Sequence, residues 1–426
     1  MKTNIQKYPA YKDSGAEWLG DLPIHWESIK MKHLFQDVSI KKKADAELLS
    51  VTQDQGVVPR TWVENRMVMP SGALESFKFI NKGDFAISLR SFEGGLEYCH
   101  HDGIISPAYT VLKAKRTFES QFYKYLFKSF SFISELQTSV VGIRQGKNIS
   151  FEELSYSYLP IPPLPEQTAI AAFLDHKTAL IDQAIGIKQK QIELLKERRQ
   201  ILIHKAVTRG LNPNVKLKDS GVEWIGEIPE HWEVRRIKTL TRVKRGASPR
   251  PIDDPRYFND NGEFAWVRIA DVSSNDHYLI NTVQKLSKLG SSLSVKILPN
   301  ELFISIAGTV GKPMISKIKC CIHDGFVYFP DLKMNLEYMY RIFETGQPYL
   351  GLGKHGTQLN LNTETIGNIY IPLPPANIQN EIVCEVNNIS MKFATAISLK
   401  EQEIEKLKEY KATLINSAVT GKIKVC

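Results

Sequence analysis

Two long stretches of the chain carry apolar residues at helical spacing. In residues 166–209, Leu174, Ile181, Ile185, Ile192, Leu195, Leu202 and Ala206 recur at steps of three, four or seven. In residues 378–420, Val386, Phe393, Ile397, Ile404, Leu407, Leu414 and Ala418 repeat the same intervals. The pattern is heptad-like and predicts two long helices. Pro165 suits a first helical position, Asn377 suits a cap, and Gly210 and Gly421 suit the ends. At 1.5 Å per residue each helix reaches roughly 60 Å. A core helix of an all-α domain or a homodimeric coiled coil would show the same spacing. Two matching seams in one chain favour packing of the helices on each other, and antiparallel packing is expected. That arrangement places the domain attached to each helix start at opposite ends of a rod, related by an approximate twofold axis.

Elsewhere the pattern shortens. Runs at 84–89, 108–112, 301–306 and 326–329 read as strands. Helical stretches intervene at 118–136 and 336–344. Residues 28–158 and 234–370 are therefore expected to be mixed α/β globules, each with a twisted sheet, giving an α+β chain.

The chain is written twice. Segment 12–27 returns at 218–233 with eleven of sixteen positions identical, Trp18, Gly20, Pro23, His25, Trp26 and Glu27 being answered by Trp224, Gly226, Pro229, His231, Trp232 and Glu233. Leu159-Pro160-Ile161-Pro162-Pro163 is answered by Ile371-Pro372-Leu373-Pro374-Pro375. These markers divide the chain into an N-terminal segment completing the repeat (1–27), a first variable domain (28–158), a proline-marked central helix (159–210), the repeated opening segment (211–233), a second variable domain (234–370) and a proline-marked C-terminal helix (371–426). The offset is 206 at the opening segments and 212 at the helices, so the second variable domain is slightly longer.

With 426 residues, more than one core is expected. The balance of 55 Lys+Arg against 46 Asp+Glu gives +9, with a pI near 9.0, which favours a polyanionic partner without identifying one. No apolar run is long enough to span a bilayer, the N-terminus lacks a secretory signal, and a cytoplasmic location is expected. Cys99, Cys320, Cys321, Cys384 and Cys426 show no disulfide or zinc spacing, so no metal is assigned.

A variable α/β domain, then a proline-marked helix ending Ala206-Val207-Thr208, then the same again ending Ala418-Val419-Thr420, resembles the specificity subunits of Type I restriction-modification systems. The resemblance covers nearly the whole chain. It rests on the opening motifs at 18–27 and 224–233, the proline motif at 371–375 and the stretch 414–421. It implies two target recognition domains, each reading one half of a split, asymmetric double-stranded DNA site, held apart by the helices. Half-sites roughly one duplex turn apart would lie on one face of the DNA. It also implies that the chain catalyses nothing and carries no cofactor. Two methyltransferase subunits with S-adenosylmethionine and restriction subunits with ATP and magnesium are the implied partners. The alternative is a solitary DNA-binding protein acting without restriction partners.

DNA reading needs cations for phosphates and planar donors or acceptors for base edges. In the first domain the candidates are Arg60, Arg66, Arg90, Arg144 and Lys147, with Gln145 and Asn148 as amide readers. In the second they are Lys244, Arg245, Arg250, Arg268, Lys312, Lys354 and His355, with Gln358 and Asn360. For any one of them, solvated surface charge is an equally good reading. Residues 142–148 and 353–360 stand out as glycine-punctuated polar loops at matching places before the proline markers. Ser88 to Phe92 and Ser305 to Thr309 occupy equivalent positions with different residues, as two different half-sites require. Lys41-Lys42-Lys43 reads as a solvated loop. The four repeated tryptophans read as core anchors, and His25 and His231, with no Ser or Cys partner, as packed or hydrogen-bonding residues. The Gly308 to Pro313 loop lacks the spacing of a nucleotide site and places proline where Ser or Thr would hold magnesium. Asp324 with Asp331 and Lys333 is a chance likeness to a nuclease triad.

Overall fold

The two heptad stretches form a central helix, Leu164–Arg209, and a C-terminal helix, Ala376–Val419, each about 65–70 Å long at 1.5 Å per residue. This computed structural model describes residues 6–63, 74–88, 91–138, 140–141, 148–350, 352 and 361–425. Both helices begin two residues before the pattern suggests. The Pro163 carbonyl accepts from the Glu166 and Gln167 amides, and Pro375 does the same for Gln379, so the proline carbonyls supply the first helical acceptors. Pro165 therefore takes the second helical position, not the first, and Asn377 lies inside the first turn and does not cap it. Gly210 (φ 73°) and Gly421 (φ 70°) end the helices in the left-handed region.

The chain divides into two compact units, residues 1–189 with 401–426 and residues 190–400, and each unit takes one half of each long helix. In the first unit Asp182 pairs with Lys411 at 2.7 Å and Lys188 with Glu403 at 2.6 Å. In the second, Arg199 donates to Ser390 at 3.2 Å while Ile203, Ala206 and Val207 share a core with Ile382 and Val386. Numbers rise along one helix as they fall along the other, so within each unit the helices are antiparallel. Leu174, Ile181, Ile192, Val386, Ile404 and Leu414 are buried, and Ile185, Leu195, Leu202, Phe393, Ile397 and Leu407 are half-buried. The seam extends one step further to Ile170 and Ile382, both fully buried and one repeat apart.

Each domain is closed at its base by the two repeat markers. Glu27–Lys30 pairs antiparallel with Tyr158–Ile161, and Glu233–Arg236 pairs in the same way with Tyr370–Leu373. Above this ribbon the first unit carries a four-stranded sheet in the order Phe35–Asp37, Thr110–Ala114, Phe85–Ile87, Glu97–Tyr98. The second repeats that order with Lys244–Arg245, Phe326–Tyr328, Leu302–Ser305, Pro313–Ser316, then adds Tyr278–Leu279. The duplication therefore persists in strand order where the sequences have diverged. A second, four-stranded sheet in the larger domain joins Gln284–Leu286, Phe264–Val267, Cys320–Ile322 and Val295–Ile297.

One glutamine per repeat ties each domain to its helix start. Gln167 accepts from the Glu119 amide at 2.9 Å and donates to the Pro162 carbonyl at 2.8 Å; Gln379 accepts from Asn335 at 2.8 Å and donates to Pro374 at 2.8 Å. Glu119 and Asn335 are themselves the N-caps of Ser120–Leu126 and Leu336–Glu344. The helix expected over 118–136 is two helices, Ser120–Leu126 and Phe130–Thr138. Ser129 breaks it, because its hydroxyl donates to the Leu126 carbonyl at 2.7 Å and accepts from the Phe132 amide at 3.4 Å.

Trp26 and Trp232 are buried in their units, and Trp18 and Trp224 are half-buried against the same cores. Cys99, Cys320 and Cys321 are buried free thiols, whose surroundings push them up to about 12, 12 and 11 respectively.

Candidate nucleic-acid interface

The segment that enters the second sheet, residues 235–250, holds seven cations in sixteen positions and no acid: Arg235, Arg236, Lys238, Arg242, Lys244, Arg245 and Arg250. Its fold sorts them. Arg235 is taken by Glu233 at 2.8 Å, and Arg236 lies 4.8 Å from the centre of the Tyr370 ring. Lys238, Arg242 and Lys244 are exposed and line a groove of about 410 Å³ together with Thr363, Glu364 and Asn368. No ion pair holds these three among the described residues, so the groove presents three cations against one carboxylate.

Further along, Lys244 and Arg245 form an exposed edge strand on Val327 and Tyr328. The Arg245 Nε donates to the Asp324 main-chain oxygen at 2.5 Å, and Arg250 pairs with the Asp324 carboxylate at 3.1 Å. Partial burial raises the Asp324 carboxyl, but hydrogen bonds from Ser248 and backbone, with the nearby Arg250 charge, outweigh it and hold the group below its ordinary value. Its neighbour His323 is pushed down by burial.

Arg268 and Lys312 are both half-buried and held by structural partners. Arg268 pairs with Asp271 at 3.3 Å, at the start of the helix Ile269–Ser274. The Lys312 ammonium donates to the Asn275 carbonyl at 2.5 Å and the Ser273 carbonyl at 3.4 Å, at the other end of that helix. Lys354, His355, Gln358 and Asn360 lie outside the described residues.

In the first domain Arg60 opens a single 3-10 turn, Arg60–Trp62, that leaves Trp62 61% exposed, edge-on to His101 at 4.9 Å. Arg66, Arg90, Arg144, Gln145 and Lys147 lie outside the described residues, as does the side chain of Asn148, whose backbone pairs with Val141. Lys41, Lys42 and Lys43 are exposed, with Lys42 held by its amide to the Glu75 carbonyl at 3.0 Å. Ser88 directly follows Phe85–Ile87 and Ser305 ends the equivalent strand Leu302–Ser305, and they bond differently: Ser88 to Ser91, Ser305 to Thr309 and Lys312.

Among the described residues these groups form no nucleophile and base pair. His25 binds Glu166 at 2.8 Å and His231 lies edge-on to Trp232 at 6.5 Å. Among the described residues no three His, Cys, Asp or Glu groups gather as metal ligands would. Sequence reasoning passed over Lys238 and Arg242 and set Asp324 aside as a chance likeness. The acid-free run pointed to the first two, whereas Asp324 joins the cluster only through the fold.

The chain matches the family described as "Type I restriction modification DNA specificity domain" twice, over residues 24–197 and 229–409. It is 25% identical over 438 residues to the type I restriction enzyme MjaVIII specificity subunit of Methanocaldococcus jannaschii, covering 95% of this chain and 94% of that protein. It is 25% identical over 299 residues to the EcoBI specificity subunit of Escherichia coli, covering 67% of this chain and 61% of that protein. Its fold is similar to a chain from a structure described as the complex assembly and conformational transition of the type I R-M system, with TM-score 0.71, 16% identity, and 93% and 98% of the two chains covered. It is also similar to the HsdS subunit of Thermoanaerobacter tengcongensis, with TM-score 0.52, 18% identity, and 94% and 98% covered. The family match spans most of both halves of the duplicated fold, and the chain belongs to the type I restriction-modification DNA specificity family.

Proposed function

We propose that this chain is the DNA-reading specificity subunit of a Type I restriction-modification complex, and that its two domains read two different halves of one asymmetric duplex site. The observation that carries this is a repeated strand order bearing unlike surfaces. An acid-free cationic run leads into the second sheet, whereas the corresponding stretch of the first contains Asp37 and sets Lys32 over the Tyr156 ring at 4.3 Å. Exposed Lys and Arg supply phosphate contacts, and the loops that differ supply base readout.

The chain itself performs no chemistry in this reading. Methyl transfer with S-adenosylmethionine, and ATP- and magnesium-dependent restriction, belong to partner subunits. The helices offer docking surface for two methyltransferase subunits. Leu180 and Ile187 in the first unit, and Leu194 and Ile201 in the second, are exposed large apolar residues spaced by seven along the central helix. A relative matched over 94% of its length is named as the specificity subunit of a type I restriction enzyme, which favours the assembled protein over a solitary one. Among the described residues no helix is long and apolar enough to cross a membrane.

The test is selection of bound sequences from a randomised duplex pool by the purified chain with its methyltransferase partner. A consensus of two unlike blocks separated by an unread spacer is expected. A single block, a perfect palindrome or no consensus contradicts the proposal.

A further inference from the structure

The carboxylate of Asp324 stands beside Arg245 and Arg250, on the turn between the strands Cys320–Ile322 and Phe326–Tyr328. The turn is built closely. Gly325 donates its amide to His323 Nδ1 at 2.8 Å. The crossing segment passes so near that a Cβ on Gly246 would lie 2.2 Å from the His323 carbonyl oxygen. Gly246 donates to the Phe326 carbonyl at 2.9 Å, and Ala247 to the Ile322 carbonyl at 3.1 Å. Segments 244–248 and 322–326 are therefore locked to one another by backbone contacts.

From this frame Asp324 fixes three side chains. Its main-chain oxygen accepts from Arg245 Nε at 2.5 Å, Oδ1 accepts from Ser248 Oγ at 3.0 Å, and Oδ2 accepts from Arg250 Nη2 at 3.1 Å. Arg245 is exposed, and its two terminal nitrogens, Nη1 and Nη2, have no partner among the described residues. Anchoring through Nε sets the guanidinium in place and leaves free the pair of donors that matches O6 and N7 of guanine. We propose that Arg245 is a guanine-reading residue of the second half-site and that the Asp324 turn is its positioning device.

The choice between a base and a phosphate rests on charge and order. A phosphate needs only a cation, and a mobile lysine provides one. A carboxylate about 3 Å from the neighbouring guanidinium repels phosphate and weakens such a contact, but costs little against an uncharged base edge. Fixing Arg245 beforehand also removes side-chain entropy from the binding step, which matters for a two-bond geometric match. Lys238, Arg242 and Lys244, with no such anchor, face the groove beside it and suit the backbone.

The inference rests on the proposed function, since it requires the second domain to bind duplex DNA. The experiment is the randomised-duplex selection repeated with Arg245→Lys, which keeps the charge and loses the fork, and with Asp324→Asn. The native protein should select guanine at one position of one block. Arg245→Lys should lower that preference by roughly 5- to 150-fold, leave the other block unchanged and leave affinity for non-specific duplex intact. Asp324→Asn should relax the same position by less while raising non-specific affinity, because a negative charge is removed. A merely structural role would not separate those two readouts. An unaltered consensus with Arg245→Lys, or relaxation spread over both blocks, overturns the inference alone. Failure of the native protein to bind duplex overturns the proposed function and the inference with it. Arg245 is exposed and Asp324 half-buried, and unchanged thermal melting verifies that both variants are folded.

Discussion

Removing the three groove cations tests whether that surface follows the DNA backbone. Lys238, Arg242 and Lys244 have no ion-pair partner among the described residues, unlike Arg235 and Arg250, so each would displace a condensed counterion on meeting a phosphate. Each such contact steepens the dependence of log affinity on log salt by about 0.9 on duplex DNA. Replacing all three with glutamine should therefore flatten the slope by about 2.7. Between 50 and 200 mM salt that is a difference of roughly 40-fold: over this range the native protein should lose about 40 times more affinity than the variant. Fluorescence anisotropy titrations of a labelled duplex at four or five salt concentrations measure the slope directly. The effect should be alike on specific and non-specific duplex, because phosphate contacts carry no sequence information. A slope unchanged within about 0.5, or a loss confined to the specific duplex, would refute the assignment of this groove to the backbone.

Burying a charge in the helix seam should unfold the second unit, because Val386 is fully buried there. Val386→Asp is expected to cost roughly 3–5 kcal/mol in urea unfolding, whereas Leu194→Asp on the exposed helix face should change stability by no more than about 0.5 kcal/mol and instead reduce co-purification of the methyltransferase. Equal destabilisation by both would contradict the seam described. Glu97, fully buried beside Lys128 at 2.8 Å, should give the first unit a pH dependence opposite to that of an ordinary ion pair. Desolvation raises its carboxyl to about 7 despite the lysine, so the folded state holds the proton more tightly than the unfolded chain. This contribution to stability is fullest below about pH 4.5, declines as pH rises through 7 and then levels off, a span of about 3 kcal/mol. Subtracting the urea stability of Glu97→Gln from that of the native protein at each pH should isolate the decline; a flat difference would show that Lys128 compensates Glu97 fully.

The long helices and the duplication were legible because both are local: heptad spacing and near-identical segments need no knowledge of what they pack against. Antiparallel packing followed from having two matching seams in one chain, and ion pairs such as Asp182 with Lys411 bear it out within a unit. The helix starts were misjudged by two residues, because a proline carbonyl can serve as the first acceptor and no side chain signals it. The pairing of Glu27–Lys30 with Tyr158–Ile161 was not legible, since a strand's pattern does not name a partner at the far end of a domain. Candidate cations were found by type, which cannot tell Arg245, presented outward, from Lys312, drawn onto the Ser273 and Asn275 carbonyls. Asp324 looked like chance in sequence because its partners Ser248 and Arg250 come from the opposite end of the domain.

The central claim is that two unlike domains read two halves of one site independently. Replacing residues 28–158 with the corresponding domain of another family member, then mapping methylated bases in cellular DNA, tests it most directly. One half of the recognised sequence should change while the other half and the spacer persist. Alteration of both halves, or of neither, would contradict the account.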